Sequence, residues 1–254
     1  MGQFDNGTMI YHLRFAMDVK KIIYHTITYC KDILFPMHCL GCDVEGSFVC
    51  DICYQTLDMS GVFCCPVCRA QRERGTVCEG CKENSFLDRH SAVMLYQEDG
   101  LIGKILHNFK YNFVQDIADV LNKLVKDYVA KEKNDILADL VVPVPLHKRR
   151  YAERGFNQAE IVAGFVAKAL NISCVQALQR GRYTVQQAKL SREERLKNVV
   201  TAFQIVDNAR KDIYGKRVIL VDDVLTTGST MQECAKVLKE CGVVEVIGVT
   251  IARG

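Results

Sequence analysis

The sequence predicts an α/β protein: a mostly parallel sheet flanked by helices, with an N-terminal helix and a small double metal-ribbon module ahead of it. Three observations carry that expectation. Short Val- and Ile-rich runs at residues 140–144, 217–221 and 244–251 alternate with helical patterns, the order that builds a parallel sheet through crossover helices. One of these runs leads into a carboxylate pair and a hydroxyl-rich loop that opens a helix. Finally, eight of the 13 cysteines fall into four C-x-x-C pairs.

At 254 residues, with 49% apolar side chains, the chain can bury a substantial core. A formal charge of +3 is too small to mark a nucleic-acid binder by itself. Its distribution says more: residues 145–200 hold eleven Lys and Arg against four Glu, so that stretch faces an anion or solvent. The longest apolar candidate near the N-terminus, residues 22–30, is too short and polar to span a bilayer. The opening MGQFDNGTM has neither the basic nor the apolar region of a secretory signal. A cytoplasmic protein without a transmembrane segment is therefore expected. A chain of this size needs no disulfide staples for its core, and the paired cysteine spacing points to metal instead.

Taken in order, residues 9–35 place Val19, Ile22, Ile23, Ile27, Cys30 and Leu34 at helical spacing, with Lys20 and Lys21 on another face, and Pro36 ends the pattern. The polar face is not strongly basic, so this helix is read as docked on the protein rather than lying on a membrane. Nine cysteines then crowd residues 37–85. Residues 91–97 read as a strand, and residues 101–129 as one or two helices with apolar side chains at 102, 105, 106 and 109 and again at 117, 120, 121, 124 and 125. The run 140–144, which contains Pro143 and precedes Pro145, is a buried strand ending in a loop. Residues 159–170 are helical in pattern, 174–178 a strand and 191–198 a short capped helix. The strand at 217–221 is followed by a helix over 229–241, with one core face at 231, 234, 235, 238 and 241, and by a closing strand. The resulting domains are 1–35, 36–86 and 87–254.

In VILVDDVLTTGST a buried strand delivers Asp222 and Asp223 to the sheet edge, where ligands of open α/β sheets sit. Gly228 lets the backbone approach a ligand closely, and Thr226, Thr227, Ser229 and Thr230 offer hydroxyls beside the unpaired first amides of the next helix. Those amides and the helix dipole favour a phosphate. Adjacent carboxylates repel a bare phosphate but accept hydrogen bonds from ribose hydroxyls and help to hold Mg²⁺. The plainer reading, an N-capped helix with two turn aspartates, explains single residues but not the whole string. The string resembles the phosphoribosyl-pyrophosphate loop of type I phosphoribosyltransferases, whose fold the resemblance also implies.

The cysteine pairs are Cys39/Cys42, Cys50/Cys53, Cys65/Cys68 and Cys78/Cys81, separated by seven, eleven and nine residues. Two such knuckles complete one closed tetrahedral site, so eight ligands imply two structural Zn²⁺. Sequential pairing needs only short loops; a crossed arrangement stays open. Cys64 is an odd thiol beside Cys65, while Cys30, Cys174, Cys234 and Cys241 read as core residues. The module is either a metal-stapled fold or, more sharply, a ribbon that contacts DNA or protein.

Between the motifs, VVPVPLHKRRYAERGFNQAE brings Pro145, His147, Lys148, Arg149, Arg150, Arg154, Asn157 and Gln158 toward the same sheet edge, where a pyrophosphate would be held. Lys189, Arg192 and Arg195 in QQAKLSREERLKN read equally as a solvated face. Lys110, in HNFKY, reads as a helix-surface lysine, with reach into the site as the other reading. Together the cysteine module, PVPLHKRR, ERGFNQAE, QQAKLSREER and VDDVLTTGST resemble the ComF family, competence-associated proteins that join a zinc ribbon to a phosphoribosyltransferase-like domain. The resemblance covers residues 36–253. It departs in a longer N-terminus and in Val185-Gln186, which stand where the family has two prolines.

The resemblance implies three readings. The first is an accessory in DNA uptake and natural transformation that handles single-stranded DNA at the inner face of the membrane, beside a helicase-like partner, with its site engaging phosphoribosyl pyrophosphate or a related sugar phosphate. The second is an active phosphoribosyltransferase that passes the 5-phosphoribosyl group to a nitrogen acceptor and releases pyrophosphate. The third is a regulator that senses phosphoribosyl pyrophosphate. No residue set for a purine, pyrimidine or ammonia acceptor is legible, so the choice between enzyme and binder stays open.

Overall fold

The computed structural model describes residues 37–111, 115–132, 135–181 and 202–254. The helix expected over 9–35, the short helix over 191–198, Val185-Gln186 and Lys189, Arg192 and Arg195 lie outside the described residues. Two compact units are present, one ending at Tyr54 and one running from Gln55 to Gly254.

In the first unit, a bridge between His38 and Glu45 closes a tight turn, and helix α1 (Asp51–Gln55) starts directly after Cys50. The second unit holds strands β1 (Val62–Phe63), β2 (Arg89–Leu95), β3 (Leu140–Pro143), β4 (Ser173–Cys174), β5 (Leu178–Arg180), β6 (Phe203–Ile205), β7 (Arg217–Leu225) and β8 (Glu245–Arg253). Its helices are α2 (Leu101–Tyr111), α3 (Gln115–Glu132), α4 (Lys148–Arg154), α5 (Gln158–Leu170), α6 (Arg210–Ile213) and α7 (Ser229–Glu240). One sheet runs β1-β2-β8-β7-β3-β4; every pairing in it is parallel except β1 with β2. β5 and β6 form a separate antiparallel pair.

β7 and β8 sit at the centre because their apolar runs can be buried on both faces. Val218 and Leu220 join a buried cluster with Met231, Cys234, Ala235 and Leu238 of α7. Alternation sends Ile219 and Val221 to the opposite face, where α5 packs on β3 and β7 and α3 packs on α5. Helices therefore flank both faces, as the sequence pattern predicts. The expected helical stretch 101–129 resolves into α2 and α3. Their core faces are Ile102, Ile105, Leu106 and Phe109, then Ile117, Leu121, Leu124, Val125 and Tyr128.

Three local expectations differ from the structure. The 174–178 run is not one strand: β4 ends at Cys174 and β5 begins at Leu178. Cys174 is exposed rather than core, because β4 is a two-residue edge strand. Residues 148–154, read as a loop after the strand, form α4, which the His147 side chain caps by accepting from the Arg149 amide at 3.1 Å.

Candidate functional site

β7 continues four residues beyond the apolar run, through both aspartates to Leu225, because β8 keeps pairing with it: Asp222 is in register with Thr250 and Leu225 with Arg253. On its other side β3 stops, the last link being the Val144 amide to the Val221 carbonyl at 2.9 Å. One edge of residues 222–225 is thus left open, and a cavity of about 320 Å³ occupies it. Asp222 and Asp223 alternate across the strand, yet both line this cavity because it lies at the sheet's end.

Around the carboxylates the cavity gathers Lys110 of α2, Arg150 and Arg154 of α4, and Arg180 of β5, with Thr226 and Thr230 below them. Lys110 is not merely a helix-surface lysine: its Nζ lies 2.8 Å from Asp223 Oδ2. Its position one turn after Leu106 on the helix made a surface reading natural, and only the placement of α2 against the end of β7 decides otherwise. Sequence periodicity does not point to Arg180, which ends a short strand that periodicity alone does not separate from loop. Its guanidinium stacks 5.0 Å from the Phe203 ring centroid, and burial, then the nearby Arg150 charge, lowers its pKa. Burial, and then the adjacent Asp223 carboxylate, pushes the Asp222 carboxyl up to about 8. It therefore keeps a proton at neutral pH until a cation takes the proton's place. Paired carboxylates held this way fit a Mg²⁺ ion with ribose hydroxyls around it.

The loop after β7 is built to receive an anion. Gly228, at φ +80°, caps the 12-residue helix α7, and the Thr227 and Ser229 hydroxyls lie 3.1 Å apart. Among the basic-segment residues, Pro145, Arg150, Arg154, Asn157 and Gln158 line the cavity. His147, Lys148 and Arg149 are not brought to it: His147 caps α4, and Arg149 bonds Glu153 at 3.0 Å one turn on. Asn157 pins α5 to the end of β3, donating to the Val144 carbonyl at 3.0 Å and accepting from the Ala159 amide at 3.1 Å. Gln158 Oε1 accepts from Arg154 Nη1 at 3.1 Å, which orients the guanidinium along the cavity wall.

The cysteines assemble in sequence order. Cys39, Cys42, Cys50 and Cys53 form one quartet and Cys65, Cys68, Cys78 and Cys81 the other, each with sulfurs within 4.8 Å of one another. Bonds of 2.3 Å in a tetrahedral tetrathiolate zinc site put sulfurs about 3.8 Å apart. The Cys42–Cys50 and Cys68–Cys78 separations are 3.7 and 3.5 Å. Both quartets use the same turn. The residue after the second cysteine, Asp43 or Arg69, is left-handed and donates its amide to the first cysteine's carbonyl. The Cys50 and Cys78 amides reach the Cys39 and Cys65 sulfurs, each at 3.4 Å. Although burial opposes it, those amides and others in each turn draw the Cys39 and Cys65 thiols down to about 6. The neighbouring Cys42 sulfur, by contrast, pushes Cys53 up to about 12, so a full set of thiolates requires a cation. Cys64 lies outside both quartets, and burial raises its pKa.

The phosphoribosyl transferase domain family matches residues 157–254. Competence protein F of Haemophilus influenzae is 30% identical over 219 residues, covering 79% of this chain and 94% of that protein. The chain belongs to the ComF family. Other relatives of this ComF-family chain include the DNA utilization protein YhgH of Escherichia coli, 32% identical over 56% of this chain and 62% of that protein. Competence protein ComFC of Bacillus subtilis is 27% identical over 76% of this chain and 79% of its own. Among solved structures, the allosteric regulatory enzyme of purine biosynthesis aligns with 57% of the chain and 29% of its own at 21% identity and a TM-score of 0.41. The matched domain and the parallel sheet flanked by helices give this ComF member a type I phosphoribosyltransferase-like fold. Among the described residues, no helix is long and apolar enough to cross a membrane.

Proposed function

We propose that the chain binds phosphoribosyl pyrophosphate, or a closely related 5'-phosphorylated ribose, together with Mg²⁺, and serves DNA uptake as an accessory that handles single-stranded DNA. One observation carries the first half: a single cavity joins two carboxylates, Thr226 and Thr230 of the loop that opens α7, and four cationic side chains. Thr226 to Thr230 hold the 5'-phosphate through hydroxyls and amides. Asp222 and Asp223 accept from the ribose hydroxyls and hold Mg²⁺, which supplies charge neutralisation at the phosphates. Arg150, Arg154 and Arg180 face the pyrophosphate, and Lys110 holds Asp223 in place through their 2.8 Å ion pair.

The DNA half rests on the names carried by the relatives and on the surface next to the cavity. His107 and Tyr111 are exposed with ring centroids 4.9 Å apart, Arg154 lies 5.5 Å from the Tyr111 centroid, and Tyr151 is exposed on the neighbouring helix. Exposed rings interleaved with cations are what bases and backbone of a single strand engage. Each zinc ribbon holds its own segment together and is itself a surface for a strand or for a protein such as a helicase.

Turnover is a second reading, favoured by the uninterrupted loop and carboxylate pair. A nitrogen acceptor would attack C1' as the C1'–O bond to pyrophosphate breaks, and the arginines would take up the charge of the leaving group. The domain limits 36–86 and 87–254 belong to the same proposal. The test is a titration of the protein with phosphoribosyl pyrophosphate plus Mg²⁺ and, separately, with single-stranded DNA, repeated for Asp222→Ala/Asp223→Ala. Loss of sugar-phosphate binding with DNA binding intact is expected; no DNA binding at moderate salt would sink the DNA role. Pyrophosphate release across nucleobases and ammonia tests turnover, and a flat panel leaves a binder or sensor.

A further inference from the structure

The second metal knuckle touches the phosphate loop directly. Arg69, in the left-handed position after Cys68, donates from Nη2 to the Thr226 carbonyl at 3.2 Å. Its own amide donates to the Cys65 carbonyl at 3.1 Å, so the turn that presents two metal ligands also presents this guanidinium. The Pro66 carbonyl stands so close to Gly228 that a Cβ there would lie 3.6 Å from its oxygen. A second tie reaches the loop from below. Arg253, at the end of β8 and buried, donates to the Cys65 carbonyl at 3.4 Å and to His90 Nδ1 at 3.2 Å. That arrangement leaves the His90 Nε2 hydrogen for Thr250 Oγ1 at 3.1 Å. The next residue, Gly254, donates its amide to the Leu225 carbonyl, immediately before the loop.

Two features make these ties depend on the metal. Four thiolates around one Zn²⁺ carry a net charge of about −2. Among the described residues, Arg69 and Arg253 have no carboxylate partner, so the charged cluster is the anion available to them. Arg253 is buried, where a guanidinium without an anion is strongly destabilising, whereas Arg69 is exposed and is held through the turn itself. Packing buries Cys64 to Pro66 but does not enclose the rest of the knuckle: residues 67–70 are exposed, and a cavity of about 450 Å³, lined by Phe63, Cys64, Arg69, Met94 and Arg253 among others, lies against it.

We infer that the metal held by Cys65, Cys68, Cys78 and Cys81 braces the phosphate loop, with Arg69 as the positioning residue that transmits the order. Metal loss at this quartet loosens Thr226 to Ser229 and weakens capture of the 5'-phosphate. The affinity half of this inference rests on the phosphoribosyl reading above; the loop-ordering half does not.

Hydrogen exchange on the full chain, without ligand, tests it. Arg69→Ala keeps its two zinc ions and raises exchange at residues 226–229 about tenfold, the loss of one charge-assisted hydrogen bond. Arg69→Lys restores part of the protection. Cys68→Ser loses one zinc and raises exchange at least as much, whereas Cys42→Ser, in the other unit, loses one zinc and leaves the loop unchanged. Affinity for phosphoribosyl pyrophosphate with Mg²⁺ falls about tenfold in Arg69→Ala. Unchanged loop exchange in Arg69→Ala overturns the brace, whether or not Cys68→Ser folds, and so does equal loosening by both cysteine variants. Loosening of the loop in a protein that never binds the sugar phosphate would keep the brace and refute the ligand reading.

Discussion

Asp222→Asn is expected to stabilise the ligand-free protein at neutral pH while removing its hold on the sugar. An aspartate whose pKa rises on folding keeps its proton in the native state but releases it when unfolded. Its contribution is therefore complete below about pH 4 and is lost progressively as pH climbs through about 8. Each tenfold in proton affinity is worth about 1.4 kcal/mol, so the span from 3.8 to about 8 sets a ceiling of about 6 kcal/mol. Asp222 is only half-buried and faces an open cavity, and solvent screening brings the expected loss down to about 2 kcal/mol. Asparagine is neutral throughout, nearly the shape of the protonated acid, and still accepts from the Asp223 amide, a bond of 2.9 Å here. Thermal melts of both proteins at pH 4.5, 6 and 7.5 read the difference. The two curves should coincide at the acid end and separate at pH 7.5, the variant melting about 5 °C higher. Parallel pH dependence in the two proteins, or a less stable variant at pH 7.5, would refute the claim that this carboxyl is strained by its neighbour.

Lys110→Met removes the cation that partners Asp223 and helps to ionise Asp222, so sugar-phosphate affinity should drop about tenfold and its pH midpoint should move alkaline, as read by calorimetry at several pH values. Elemental analysis should find two zinc ions per chain, one after Cys42→Ser, and still two after Cys64→Ser, because Cys64 lies outside the quartets. Leu220→Ala, at a fully buried central-strand position, should cost about 2–5 kcal/mol in urea unfolding without changing zinc content.

The parts of the site that the sequence made legible are those encoded in contiguous strings. The aspartates, the 226–230 loop and the cysteine pairs each carry their chemistry within a few residues, and short-loop sequential pairing anticipates the quartets. Residues recruited across the fold were harder to see. Lys110 joins through an ion pair 113 positions along the chain, set by how α2 docks. Arg180 joins from a three-residue strand whose partner β6 begins at Phe203. Local charge density misled in the other direction. His147, Lys148 and Arg149 look like a cationic loop, but the His147 cap starts a helix there and only Arg150 and Arg154, one turn apart, keep the inward face. The extent of β7 was underestimated because carboxylates are poor strand formers, and continued pairing with β8 outweighs that preference.

The central claim, that this edge of the sheet binds a 5'-phosphorylated ribose, is met most directly by titrating phosphoribosyl pyrophosphate with Mg²⁺ and following the backbone amide resonances of the protein. Saturable shifts concentrated at Asp222, Asp223 and residues 226–230, absent from Asp222→Asn/Asp223→Asn, are the predicted result. No saturable shift, or shifts that lie elsewhere and persist in the double variant, would contradict it.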